Sequence, residues 1–429
     1  MKKKYRIILY TSIFLLCVVA SIILVVKKSN SVYEEESKPK VVKHKSMLSM
    51  NLEQTAGSGD YKTVTQSSWP TEGYKFNAEL SRCENGSTLS WDDTKKAVIV
   101  SGNLSDKCYV YFDIYQPTLA EYIKSQYTGT QGENSIYYHN SSLENGAGDN
   151  SYRYAGANPN NFVCFGSDAS PCPIDNLYRI IGVFGENYHG ANGKQLVKLI
   201  KYDYMTTDEL GTDGDYSQTY KEWGMDSTYK GTYGDGERIG VYYWNYKATG
   251  SATNTWSTSL LNKTNLNTNF INNIGTTWAN KIATVTWKVG GNTWANIGTK
   301  TSSVAYTNEI TNPVTTNTTD NATTYSAKIG LMYVSDYGFA ASPDAWTLTM
   351  SSYNNTTATN NNWMYMGLYE WTISRYADYS GSAFIVRSDG TVDDGSVDFN
   401  RGVRASFNLE SSVSYVSGSG SMSDPIVIN

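Results

Sequence analysis

The stretch from Glu370 to Leu409, EWTISRYADYSGSAFIVRSDGTVDDGSVDFNRGVRASFNL, limits the fold most tightly. It holds three short β-branched or aromatic runs, WTISR, SAFIVR and GVRASFNL, separated by Gly and Asp. Runs of this length bounded by turn residues are strands. A chain that carries them must complete a sheet with them, so the upstream residues divide into anchor, stalk and further parts of that sheet.

Composition marks the divisions. A basic tail, residues 1–7, precedes an uncharged apolar run from Ile8 to Val26. About 20 apolar residues span a hydrocarbon core of roughly 30 Å. Lys2, Lys3, Lys4 and Arg6 outweigh Lys27 and Lys28, and Glu34 to Glu36 follow soon after. The positive-inside rule then keeps the tail cytoplasmic and places the bulk outside. A cleaved leader ending at Val18-Val19-Ala20 is the rival reading, but the apolar run continues past Ala20 with no polar segment. The expectation is a single-pass protein of the cell membrane, held through its N-terminal helix, with the C-terminal bulk extracellular. Residues 27–67 are polar, lack a sustained apolar period and read as a stalk. Residues 68–116 read as a small β domain and 117–429 as a larger mixed domain. The expected fold class is therefore α+β, mostly β, with an N-terminal transmembrane helix, a small disulfide-stapled β domain and a larger mixed domain.

Cys17 lies within the apolar run, which leaves an even four: Cys83, Cys108, Cys164 and Cys172. In an exported protein this implies two disulfides. Three pairings exist in principle, and sequence neighbours, Cys83–Cys108 and Cys164–Cys172, are the most economical. A zinc site is the alternative for the second pair, given His139 and His189, but no CxxC or HxxxH spacing supports it.

Charge is dispersed, with 35 Lys and Arg against 40 Asp and Glu and a net charge of -5, which argues against a nucleic-acid partner. Tyr (35) and Trp (11) are abundant beside Asn, Thr, Ser and Gly, a composition suited to an extracellular β surface and to adaptable binding.

Local patterns fill in the larger domain. TLAEYIKSQY predicts a helix with Thr118 as N-cap and Glu121 completing a capping box. Leu177–Phe184 and Gln195–Tyr202 form a hairpin around a Gly/Asn-rich loop. TWSTSLLNKTNLNTNFINNIGTTWANK predicts two short helices, with Ser257 and Asn267 as N-caps. IATVTWKV alternates as a half-buried strand, and residues 290–325, rich in Thr and Asn, read as a surface insertion. Ile329–Val334 resumes as a strand.

Four of these pieces together, YRIIGVF…KLIKYD, TWSTSLLNKTNLNTNF, IGLMYVSDYGFA and EWTISR…AFIVRSDGTV…NRGVRASFNL, resemble uncharacterised bacterial surface proteins. The C-terminal module of those proteins looks like a C-type-lectin-type domain, a fold also used by the formylglycine-generating enzyme and by variable receptor proteins. The resemblance covers Leu177 to Asn429. Ala405 stands where family members tend to have Pro after the Arg of the GVR motif. The resemblance implies framework roles for Trp371, Arg375 and Arg404. It also implies ligand contacts on irregular segments, here Asn361–Tyr369 and Ser388–Asn400. Candidate contacts are Trp363, Tyr365, Asp393, Asp398 and Asn400, facing a glycan or protein ligand. Asp389, Asp393, Asp394 and Asp398 offer oxygen ligands for Ca²⁺, with ordinary turn roles as the alternative.

Enzyme chemistry finds little support. No Cys follows Cys172, so the formylglycine-generating activity has no nucleophile, and neither His139 nor His189 lies near a nucleophile elbow. No P-loop or dinucleotide Gly motif follows a strand. The sequence therefore points to a surface-displayed binding module, with a structural envelope protein or a carboxylate-based hydrolase as alternatives.

Overall fold

The structure is a computed structural model that describes residues 48–429 apart from 66–67, 71–72, 104, 186–188, 190–192, 224–227, 235, 314–321 and 355–359. The chain divides into two compact units, Met1–Tyr115 and Gln116–Asn429. Both are rich in strands, with short helices in the larger one. One part of the expected fold class is corrected. Among the described residues no helix is long and apolar enough to cross a membrane. The ten-residue helix Leu261–Phe270, for example, carries Asn at 262, 265, 267 and 269. The apolar run Ile8–Val26 and the tail before it lie outside the described residues.

The smaller unit contains β1 (Leu48–Glu53), β2 (Tyr61–Val64), β3 (Tyr74–Phe76), β4 (Arg82–Cys83), β5 (Thr88–Asp92), β6 (Ala97–Ser101) and β7 (Cys108–Ile114). Its main sheet runs β2-β1-β7-β3, with β4 also on β7, and β5 and β6 form a separate hairpin. Met50, Leu52, Val110 and Phe112 are its buried core, and the rings of Trp69, Phe76 and Trp91 surround Phe112 at 5.9, 5.9 and 5.5 Å. The stretch read as a stalk thus contributes two strands, β1 and β2. The polar residues that hid them have partners: Asn51 donates to the Val110 carbonyl, and Glu53 accepts from Ile114 N at 2.9 Å. Cys83 and Cys108 stand opposite each other on β4 and β7 and are bonded. A core this small gains most from such a staple.

The larger unit opens with α1 (Leu119–Ser125), capped as expected by the reciprocal Thr118–Glu121 box. Then come β8 (Ile136–Tyr138), β9 (Tyr152–Tyr154), β10 (Phe162–Cys164), β11 (Leu177–Phe184), β12 (Leu196–Lys201), β13 (Tyr216–Thr219) and β14 (Gly240–Tyr243). After a helical stretch follow β15 (Val285–Lys288), β16 (Gly291–Asn292), β17 (Thr324–Ala327), β18 (Ile329–Gly330) and the helix α2 (Val334–Ala340). The chain ends with β19 (Glu370–Tyr376), β20 (Ser382–Val386), β21 (Val392–Ser396), β22 (Asn400–Gly402), β23 (Ser406–Asn408), β24 (Tyr415–Ser417) and β25 (Val427–Ile428). One sheet runs β18-β23-β12-β11-β9-β8 with β10 on β11. The other runs β13-β14-β22-β19-β20-β21 with β16 on β19.

The expected hairpin is β11–β12, buried along its whole length, and Cys164–Cys172 closes the second disulfide before it. IATVTWKV forms β15 with the alternating burial its pattern demanded. Other expectations are corrected. The third C-terminal run divides at Arg404, so β22 joins one sheet and β23 the other. This is one of several places where the chain passes between the two sheets, as it also does from β12 to β13 and from β18 to β19. Ser388–Asn400 is not one irregular loop, because β21 occupies its centre and pairs with β20. Ser257 and Asn267 cap nothing. Asn267 lies inside Leu261–Phe270, a wide π-helical segment, and its side-chain amide donates to the Asn262 and Ile329 carbonyls, each at 3.0 Å. Much of the proposed surface insertion is core: Ile297, Ala305, Tyr306 and Ile310 are buried there. Only residues 329–330 of the expected strand Ile329–Val334 are extended in a ladder, since a capping contact from Asp336 to Tyr333 N starts α2 at Val334.

Candidate functional site: an aromatic rim around Val397

Val397, in the turn between β21 and β22, joins three turns by backbone hydrogen bonds. Its N–H donates to the Gly381 carbonyl at 2.8 Å, and its carbonyl accepts from Trp244 N and Asn245 N at 3.0 and 3.2 Å. Two residues from each junction stands an aromatic side chain: Tyr379 before Gly381, Tyr246 after Trp244, and Phe399 after Val397 itself. Two residues reach at most about 7 Å, so each ring stands close to one of these junctions. The three rings are 62, 46 and 56 % exposed, and among the described residues no other aromatic of the larger unit is as open. Tyr246 stacks on Tyr243 with ring centroids 4.6 Å apart, and the Arg401 guanidinium lies 5.4 Å from the Phe399 ring.

Polar groups border these rings. Asp398 accepts from Ser396 Oγ, Asn400 donates to Ser217 Oγ at 3.1 Å, and Asp378 accepts from Trp294 N at 3.1 Å. Of the residues expected to contact a ligand, Asp398 and Asn400 therefore stand on this rim. Asp393 does not share their surroundings; it lies on β21 and pairs with Arg387 at 2.9 Å. Trp363 and Tyr365 are corrected to framework, each only 3 % exposed. The Trp363 indole donates to the Tyr154 carbonyl at 2.9 Å beneath the Arg179 guanidinium, and the Tyr365 hydroxyl donates to the Ser388 carbonyl. Their apolar surface is too large to leave in water when a core is within reach.

The four acids considered for Ca²⁺ have other engagements or stand apart. Asp389 accepts from Thr391 N and Oγ1, a turn role, and Asp394 faces Phe384 across the ladder. Among the described residues no group of three or more His, Cys, Asp or Glu is placed to hold a metal ion. Trp371, Arg375 and Arg404 are buried. Arg404 makes a two-pronged contact with Glu370 at 2.8 and 2.9 Å and a third bond to the Met364 carbonyl at 2.6 Å. Burial pushes the Glu370 carboxyl up, while the arginine charge opposes that shift.

A second, concave feature lies elsewhere on the larger unit. It is a cleft of about 160 Å³ between α1, β8 and the C-terminal residues, lined by Tyr122, Gln126, Asn134, Tyr154, Asn158 and Ser419 among others. Tyr122 stacks on Tyr415 at 3.6 Å, and burial beside that ring pushes its hydroxyl up to about 12. The cleft is neutral and polar.

Both histidines of the larger unit are interior, His139 at 0 % and His189 at 3 % exposure. Burial, reinforced by nearby cations, pushes both well below the usual imidazole range. Neither can meet an external substrate in this arrangement.

Sequence reasoning missed Tyr246, Tyr379 and Phe399. The available signal was an aromatic residue set among turn residues in YADYSG and VDFNR. Their convergence depends on long-range pairing that no local pattern reports. No family model matches the chain, and no curated protein or solved structure matches it either.

Proposed function

We propose that this chain is an extracytoplasmic binding protein whose larger unit presents the rim around Val397 to a glycan. The observation that carries this reading is the gathering of Tyr246, Tyr379 and Phe399 in solvent on turns tied together by Val397. A single exposed aromatic is ordinary, whereas three on turns joined at one residue favour a binding surface. Aromatic faces pack against the C–H faces of sugar rings, and the bordering Asp398, Asn400 and Asp378 offer hydrogen-bonding groups for hydroxyls. The two disulfides support an oxidising, exported location. The resemblance of Leu177–Asn429 to lectin-type modules is in keeping with this reading.

The test is a glycan array probed with purified protein and with a Tyr379→Ala/Phe399→Ala variant. Saturable, selective binding that the variant loses while keeping its circular dichroism supports the proposal. Binding untouched by the variant, or concentration-dependent self-association with no glycan bound, contradicts it.

A further inference from the structure

Lys198 on β12 and Asp336 on α2 are both completely buried, and Lys198 Nζ lies 2.5 Å from Asp336 Oδ2. The pair joins the sheet to the helix across 138 residues of sequence. Aromatic walls close around the amine, with Tyr333 at 4.5 Å and Trp287 at 5.3 Å from Nζ to ring centroid. Three details set it apart from an ordinary ion pair. Asp336 Oδ2 also accepts from Tyr333 N at 2.9 Å, whereas Oδ1 has no hydrogen-bond partner. A third side chain, His189, places Nδ1 3.3 Å from Nζ. Glu309 is anchored close by, accepting from Val334 N and Ser335 N at the start of the same helix.

We propose that Lys198 and Asp336 condense to an intramolecular amide, a covalent cross-link between β12 and α2. The step balances without any co-reactant. A bond forms between Nζ and Asp336 Cγ, the bond from Cγ to Oδ1 breaks, and the ammonium and carboxylate charges vanish together. Of the three ammonium protons, one stays on the amide nitrogen and two leave with Oδ1 as water. His189 Nδ1 takes the first proton, which frees the nitrogen lone pair to attack, and returns it to the departing oxygen. Oδ2 becomes the amide carbonyl and keeps its hydrogen bond from Tyr333 N. The surroundings favour each requirement. Burial lowers the Lys198 amine, favouring its neutral nucleophilic form, and keeps His189 neutral as an acceptor. Burial also raises Glu309, which therefore adds less charge to hold the ammonium in place. The dry site disfavours the separated ions and the reverse hydrolysis.

Peptide mapping of the full-length protein, reduced and digested with trypsin, tests this directly. The expected product is a branched peptide, Gln195–Lys201 joined to Ile329–Arg375, lighter than the two chains by one water and uncleaved after Lys198. Recovery of Gln195–Lys198 and Ile329–Arg375 as separate linear peptides overturns the proposal. The variant Lys198→Met keeps the volume without the amine and is expected to lack the branch. A branch to Asp336 that persists in that variant also overturns it. In His189→Phe, the branch is expected to form roughly 10²-fold more slowly, and an unchanged rate rules out the histidine step.

Discussion

Beneath α2 the larger unit buries Arg153, Asp149, Lys198, Asp336 and Glu309, whereas around Val397 it leaves Tyr246, Tyr379 and Phe399 in water. Each placement runs against transfer free energy, but the two are resolved differently. Arg153 and Lys198 each face a carboxylate, and Glu309 accepts from backbone N–H groups. Arg153 meets Asp149 at 2.7 Å, Asp149 also accepts from the Tyr306 hydroxyl at 2.6 Å, and three rings flank the guanidinium within 4.8 Å. Burial works against the Asp149 charge, yet the Arg153 guanidinium and these hydrogen bonds hold its carboxyl down at about 2. At the rim Tyr246 stacks on Tyr243 and Arg401 lies over Phe399, yet the rings remain largely in solvent. Satisfied interior polarity specifies a structure, while unsatisfied exterior apolarity points to a partner.

Glu370→Ala leaves Arg404 buried without its counter-charge, and a loss of about 3–5 kcal/mol is expected in urea unfolding. A loss below about 1 kcal/mol would mean that water reaches Arg404. The smaller unit, whose apolar core is thin, is expected to lose roughly 3–4 kcal/mol when Cys83 and Cys108 are both replaced by Ser. Limited proteolysis should then open residues 48–115 before the larger unit.

A smaller effect separates the interior by pH. His139 is held neutral when folded, so the unfolded chain binds the extra proton. Stability from this group is complete above the unfolded imidazole value, near 6.5, and falls as pH drops below it. His139→Asn removes the titration while leaving an acceptor for Ala147 N, which now donates to His139 Nδ1 at 3.0 Å. Relative to the variant, the wild type should lose about 1.4 kcal/mol per pH unit below 6.5. Parallel stability curves would show that the imidazole charges without resistance. The smallest expected change is at the rim, where Tyr379→Ala should shift stability by less than about 0.5 kcal/mol. A larger loss would mean that the ring packs against the chain after all.

Local chemistry was legible wherever one short segment carried the whole signal. The Thr118–Glu121 box, the β11–β12 hairpin and the alternation of β15 needed only neighbours in sequence. What depended on distant partners was not. Trp363 and Tyr365 read as surface because they stand in an Asn-rich run, yet Arg179 and Tyr154 receive Trp363 from nearly two hundred residues upstream. Tyr306 and Glu309 were hidden among Thr and Asn, whose abundance masks a buried helix. Asp398 and Asn400 were found, whereas Tyr246 could not be, because the turn that carries it meets Val397 from more than a hundred residues upstream.

Titration of the best glycan from the array against two variants in parallel decides where the ligand binds. One is Tyr379→Ala/Phe399→Ala on the rim, and the other is Gln126→Ala/Asn158→Ala in the cleft between α1 and β8. The rim variant is expected to bind at least about tenfold more weakly, a loss of roughly 1.4 kcal/mol, with the cleft variant unchanged. Weakening confined to the cleft variant would contradict this and move the binding site from the aromatic rim to the concave surface.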